Sequence, residues 1–144
     1  MYRQFQAPKT KANEETALTV EQRAQLEERI TQLEGRITQC TAMCQREIER
    51  IVMKTSIEVT KLLKTCKLNV KELIGTDEER FVAEQALYAE YDVSRAALQD
   101  EGDIAKEQVT ARFTTELQQL YPALTAARQQ IADDDYRQRM NYRP

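Results

Sequence analysis

Apolar residues recur at helical spacing through most of the first half of the chain. The steps between them alternate between three and four residues, with a mean close to 3.6, which places the side chains on one helical face. Thr19 and Gln22 have the spacing of a capping box. The pattern therefore predicts one continuous helix over residues 19–74. Its apolar stripe comprises Leu26, Ile30, Leu33, Ile37, Cys40, Cys44, Ile48, Ile51, Thr55, Val59, Leu62, Cys66, Val70 and Leu73.

A second helix is predicted over residues 77–134. Gly75 suits the left-handed position that follows a helix, and Thr76 with Glu79 forms a second predicted capping box. Gly102 and Pro122 are the two places where this helix could kink. Its apolar stripe comprises Phe81, Tyr88, Tyr91, Leu98, Ala105, Val109, Phe113, Leu117, Leu120, Leu124, Ala127 and Ile131.

The short connection between these helices predicts the fold class. A turn at residues 75–76 makes neighbouring helices pack antiparallel, so we expect an all-α, coiled-coil-like, long two-helix hairpin over residues 19–134. An irregular basic N-terminal arm (1–18) and a basic, aromatic C-terminal tail (135–144) flank it. The alternative is a three-helix arrangement created by a break at Gly102.

Charge supports the hairpin pairing. Residues 44–76 carry a net charge of +3, whereas residues 77–107 carry a net charge of −7. A hairpin places these segments side by side, and their opposite charges disfavour other registers. The whole chain has a net charge of −3, so it lacks the strongly basic character typical of nucleic-acid-binding domains.

Candidate chemistry is sparse. The chain has no histidine, which excludes Ser-His and Cys-His nucleophiles and histidine zinc sites, and its three glycines are too scattered for a phosphate loop. Cys40, Cys44 and Cys66 could form a thiolate or redox site, but all three lie on the core stripe, where cysteine acts as a small apolar residue. The sequence thus predicts a non-enzymatic protein with no catalytic residues, no cofactor and no metal.

Both helices near the turn carry more apolar surface than one seam requires. A helix that is apolar on two faces is normally packed on both. Residues 82–104 are therefore expected to contact a second copy, a different protein, or the chain's own C-terminal part. This predicted lateral face comprises Val82, Ala86, Ala89, Val93, Ala97 and Ile104, with Ile57 and Leu68 on the first helix.

The two ends of the chain combine arginine with aromatic residues. Residues 1–13 and residues 136–144 each carry a net charge of +3. Arginine and tyrosine are enriched where proteins meet, so a hairpin would bring a predicted terminal patch together. Its target could be an acidic protein surface, RNA or anionic lipid; the alternative is a pair of solubilising tails. The patch comprises Tyr2, Arg3, Phe5, Tyr136, Arg137, Arg139, Tyr142 and Arg143.

An acidic run precedes the C-terminal end. Asp133, Asp134 and Asp135 could bind a cation, but we expect them to end the second helix as a solvated cluster, although acidic residues there oppose the helix dipole.

These features favour a structural or assembly subunit of a larger multiprotein complex. The basic ends would suit an acidic surface such as that of tubulin, so a cytoskeletal, microtubule-associated or axonemal role in the cytoplasm is the first hypothesis. The alternatives are an accessory subunit of a mitochondrial complex and a dimeric adaptor or regulator that binds a client helix. No apolar run approaches the length of a membrane span.

Overall fold

The computed structural model describes residues 17–141, and this part of the chain contains two α-helices and no strand. Helix α1 spans Val20–Lys71 and helix α2 spans Asp77–Asn141. The two helices form an antiparallel hairpin, which confirms the predicted fold class.

Reciprocal hydrogen bonds begin α1. The Thr19 N–H donates to Gln22 Oε1 at 3.0 Å, and the Gln22 N–H donates to Thr19 Oγ1 at 3.1 Å. Two backbone donors of the first turn are satisfied in this way, as the capping-box spacing predicts. At the other end α1 stops at Lys71, short of the expected residue 74. There the Leu73 N–H donates to the Val70 carbonyl, three residues earlier, at 3.3 Å, instead of to the carbonyl four residues earlier that an α-helix uses.

The connection between the helices uses glycine for a specific backbone conformation. Gly75 has a φ of 119°, a backbone conformation that residues with a Cβ rarely adopt. Immediately afterwards the Glu79 N–H donates to Thr76 Oγ1 at 3.2 Å, which caps the first turn of α2. The connection therefore spans residues 72–76, longer than the expected turn at 75–76.

Helix α2 continues through both Gly102 and Pro122. The three-helix alternative, which requires a break at Gly102, is therefore wrong. The helix also continues past the expected end at residue 134 as far as Asn141, so the first residues of the expected C-terminal tail are helical. The physical reason lies at Asp134, which is bonded to α1 instead of being solvated at a helix end.

The hairpin divides into two compact units, each containing segments of both helices. The terminal unit comprises Met1–Cys40 and Thr115–Pro144, and the turn unit comprises Thr41–Thr114. Within the terminal unit, four buried side chains form the core and three partly buried ones pack against it. These residues are Leu33, Ile37, Leu120 and Leu124, with Ile30, Leu117 and Ala123.

The turn unit has a thinner seam. The predicted α1 stripe is buried or half-buried at every position, but the only buried apolar side chains in this unit are Cys66 and Phe113. Phe81, expected on the seam, is 61% exposed, because it lies in the first turns of α2, where α1 has already ended. The helices approach closely at Gly102, where an added Cβ would lie 2.7 Å from Thr55 Oγ1.

Candidate protein–protein interfaces

The first candidate interface is the side of α1 that faces away from the seam within the turn unit. Met53, Ile57 and Leu68 are 66%, 49% and 50% exposed there. Ile57 and Leu68 lie eleven residues apart, which is close to three helical turns, so the two side chains line up along the helix. The structure thus leaves the predicted apolar positions of α1 uncovered by the rest of the turn unit.

The same side of α1 is strongly basic. With 3.6 residues per turn, five Lys and Arg positions fall within the same stripe as Ile57, and no acidic position does. All five residues are exposed. Together with Met53, Ile57 and Leu68 they define the α1 outer face; the basic members are Arg46, Arg50, Lys61, Lys64 and Lys71.

The second candidate interface is the corresponding side of α2. Val82, Val93 and Ile104 follow one another at eleven-residue steps and are 68%, 72% and 56% exposed. Ala86, Ala89 and Ala97 fill the turns between them and are also exposed. All six predicted lateral positions on α2 therefore lie on one open stripe.

This stripe of α2 is acidic. Glu79, Asp100 and Glu107 share it and are exposed. The basic residues of the same segment occupy helical positions nearer the seam; Lys106, for example, pairs with Asp103 at 3.2 Å. The three acidic residues, with the six apolar ones, define the α2 outer face.

The predicted terminal patch is only partly within the described residues. Tyr136 is 58% exposed, Arg139 is exposed and Arg137 is half-buried, all in the last turns of α2. The patch members outside the described residues are Tyr2, Arg3, Phe5, Tyr142 and Arg143. Leu18, which lies just before α1, donates its N–H to Asp134 Oδ1 at 3.1 Å. The start of α1 therefore lies beside the last turns of α2.

An ionic cluster in the terminal unit was missed by the sequence reasoning. Asp134, expected to be solvated, is only 1% exposed. Arg23 donates from Nη1 to Asp134 Oδ2 at 2.6 Å and from Nη2 to Asp135 Oδ1 at 2.6 Å, and Gln138 Nε2 donates to Asp134 Oδ2 at 3.0 Å. A signal was present: Asp134 continues the three-and-four spacing of the α2 stripe, and Arg23 precedes Leu26 by three residues.

The cluster shifts the ionisation of both partners. Burial by itself raises the pKa of the Asp134 carboxyl, but the hydrogen bonds from the Leu18 N–H and Arg23, with the positive charge of Arg23, lower it below the ordinary value of 3.8. The hydrogen bonds to Asp135 and Asp134 raise the pKa of Arg23. The cluster is therefore ionised at neutral pH and bonded at each accepting oxygen of Asp134.

The thiols lie where the apolar interpretation places them. Cys40 and Cys66 are buried at 3% and 6% exposure, Cys44 is half-buried, and none of the three forms a disulfide. Cys66 donates its S–H to the Leu87 carbonyl across the seam at 3.7 Å. Among the described residues no group of three or more Cys, Asp or Glu is arranged to hold a metal ion. Neither described helix has an apolar stretch long enough to cross a bilayer.

Comparison with known proteins adds no family to this description: no protein-family model, no curated protein and no solved structure matches the chain.

Proposed function

We propose that the chain is a non-enzymatic structural subunit that assembles with other protein chains through the outer faces of its turn unit. A single observation supports this proposal. Of the fourteen large apolar side chains that are exposed among the described residues, ten lie in the turn unit. The terminal unit, by contrast, holds six of the eight buried apolar side chains.

The energetic consequence favours association. Burying a fully exposed valine, leucine or isoleucine is worth about 1.5–3 kcal/mol, so covering several half-exposed ones would stabilise a contact appreciably. Exposed apolar patches of this kind mark interaction sites in soluble proteins. The turn unit buries few apolar side chains in its own seam. Neighbours packed on its outer faces would bury the apolar side chains that the seam leaves exposed.

The cellular complex in which the chain assembles is proposed from the sequence. A cytoskeletal or axonemal complex with an acidic surface such as that of tubulin suits the basic α1 outer face as well as the basic ends. The mitochondrial subunit and the client-helix adaptor are the competing proposals. In each of them the chain contributes contact surface instead of catalysis.

The proposal is tested by the native size of the tagged full-length chain in extracts of its own cells. We expect the wild type to elute well above its own mass of 16.7 kDa. Val93→Asp should shift it toward that mass while helicity is preserved. The matched control is Val20→Asp, which replaces an 88% exposed valine in the terminal unit and should leave the size unchanged. A wild type that elutes as a monomer, or a Val93→Asp variant that elutes with the wild type, contradicts the proposal.

A further inference from the structure

We propose that the neighbour on these faces is a second copy of the chain, with the α1 outer face of one copy against the α2 outer face of the next. This inference rests on the proposed function and specifies the partner and the mode of contact. It follows from three properties of the two faces: their charge, the sizes of their side chains and their positions along the hairpin.

Charge distinguishes the two faces. The α1 outer face has five basic residues and no acidic one, and the α2 outer face has three acidic residues and no basic one. Two α1 outer faces in contact would juxtapose like charges, and so would two α2 outer faces. Only the pairing of one with the other is complementary, because like charges brought together at an interface are destabilising.

Side-chain size is complementary as well. The seam of the turn unit sets Cys66 beside Leu87 and Thr55 beside Gly102, which defines the relative heights of the two helices. A copy displaced sideways at the same height places large α1 side chains against small α2 ones. Leu68 then lies against Ala86 and Ala89, and Ile57 lies against Ala97. Small residues allow the close helix approach that such a contact needs.

The positions of the two faces on the hairpin determine the form of the oligomer. Each face lies opposite the seam on its own helix, so a copy can use both at once with different neighbours. A contact between two different patches is heterologous, and unless the rotation between copies closes a ring it continues as an open row. The expected product is a lateral row of hairpins in which neighbouring helices alternate in direction.

Two single-face variants test the pairing with the purified full-length chain. Ile57→Asp disables the α1 outer face, and Val93→Asp disables the α2 outer face. We expect the wild type to give a sedimentation coefficient that rises with concentration, and each variant alone to remain at 16.7 kDa. An equimolar mixture of the two variants should form a 1:1 dimer, because each retains the face that the other lacks. Circular dichroism of each variant checks that helicity is retained.

Several results would overturn the pairing. If either variant alone forms a dimer, like faces pair with each other. If the mixture stays monomeric while the wild type associates, another surface is responsible. If the purified wild type is monomeric but the chain elutes in a large complex from cells, the partner is a different protein; the proposed function then stands and this inference fails. Raising the salt concentration should weaken the mixed dimer, because its charges are screened; association that is unchanged by salt contradicts the charge argument.

Discussion

Arg23 and Asp134 are 111 residues apart in the sequence, yet their side chains meet at 2.6 Å in the terminal unit. Both occupy positions that continue the apolar stripes of their helices, so an ion pair takes the place of an apolar layer at the end of this seam. Removing one partner of a buried ion pair is destabilising, because the remaining charged group loses its compensation.

Replacing Asp134 with Asn should therefore destabilise the chain. The amide is neutral, and its NH2 group would replace one of the two accepting oxygens, so a donor would face either the Arg23 guanidinium or the Leu18 N–H. We expect the Tm of Asp134→Asn to fall by about 5–10 °C in thermal denaturation followed by circular dichroism. Asp133→Asn is the matched control: Asp133 is exposed and accepts a hydrogen bond from Gln129 within its own helix, at 2.9 Å, so the Tm of this variant should change little. Equal shifts for the two variants would contradict a specific role for Asp134.

The contribution of Asp134 should depend on pH in a defined direction. Its pKa in the folded chain lies below 3.8, so its stabilising effect is fully present above that pH and is lost as the pH falls through the folded value. The difference in Tm between wild type and Asp134→Asn should thus be largest at neutral pH and shrink below about pH 4. Thermal scans of both proteins between pH 7 and pH 2.5 measure it. A difference that stays constant over this range would show that the charge of Asp134 is irrelevant.

Gly102 should resist replacement by alanine despite the higher helix propensity of alanine. That propensity is worth about 1 kcal/mol in a helix interior, but the new Cβ would press on Thr55 Oγ1. Overpacking of this kind costs about 1–3 kcal/mol, so we expect Gly102→Ala to lower the free energy of unfolding or leave it unchanged. Chemical denaturation measures the effect.

A second substitution separates the close contact from other effects of Gly102. Thr55→Ala removes the hydroxyl and the methyl group, leaving a Cβ at 3.6 Å from the new alanine Cβ, which is an ordinary contact distance. In this background Gly102→Ala should become stabilising by about 1 kcal/mol. The same effect of Gly102→Ala with and without Thr55 would exclude the close contact as the reason for the glycine.

Gly75 should be sensitive to alanine for a different reason. Its φ of 119° is unfavourable for any residue with a Cβ, and an added Cβ would lie 2.6 Å from Glu79 Oε2. We expect Gly75→Ala to reduce the free energy of unfolding by about 1–2 kcal/mol. Gly35→Ala is the control, because an added Cβ there meets nothing within 4 Å and should stabilise the helix slightly. A neutral Gly75→Ala would mean that the connection can adopt another conformation at no cost.

The sequence predicts those parts of this fold that depend on local periodicity and capping. The α1 stripe, the Thr19–Gln22 box and the Thr76 cap all appear as expected, because each needs only residues within a few positions of one another. Phe81 was placed wrongly because its burial depends on whether α1 reaches far enough to cover it. Periodicity within α2 contains no such information.

Asp134 was missed because a run of three aspartates suggests a solvated helix end. Its burial depends on Arg23, and no local pattern links residues so distant in sequence. The outer faces could be located from the sequence, since the second apolar stripe is visible there. The spacing of apolar residues does not show what covers these faces, because it describes each helix by itself and not the surface that packs against it.

The uneven distribution of burial has a consequence for motion. Backbone amides in segments with few buried contacts open more readily, so hydrogen exchange in the turn unit should be faster than around the Leu33–Leu120 core and the Arg23–Asp134 pair. A neighbour that covers the outer faces would slow exchange most in the segment that is least protected in the isolated chain. Amide protection in the turn unit would then report directly on assembly.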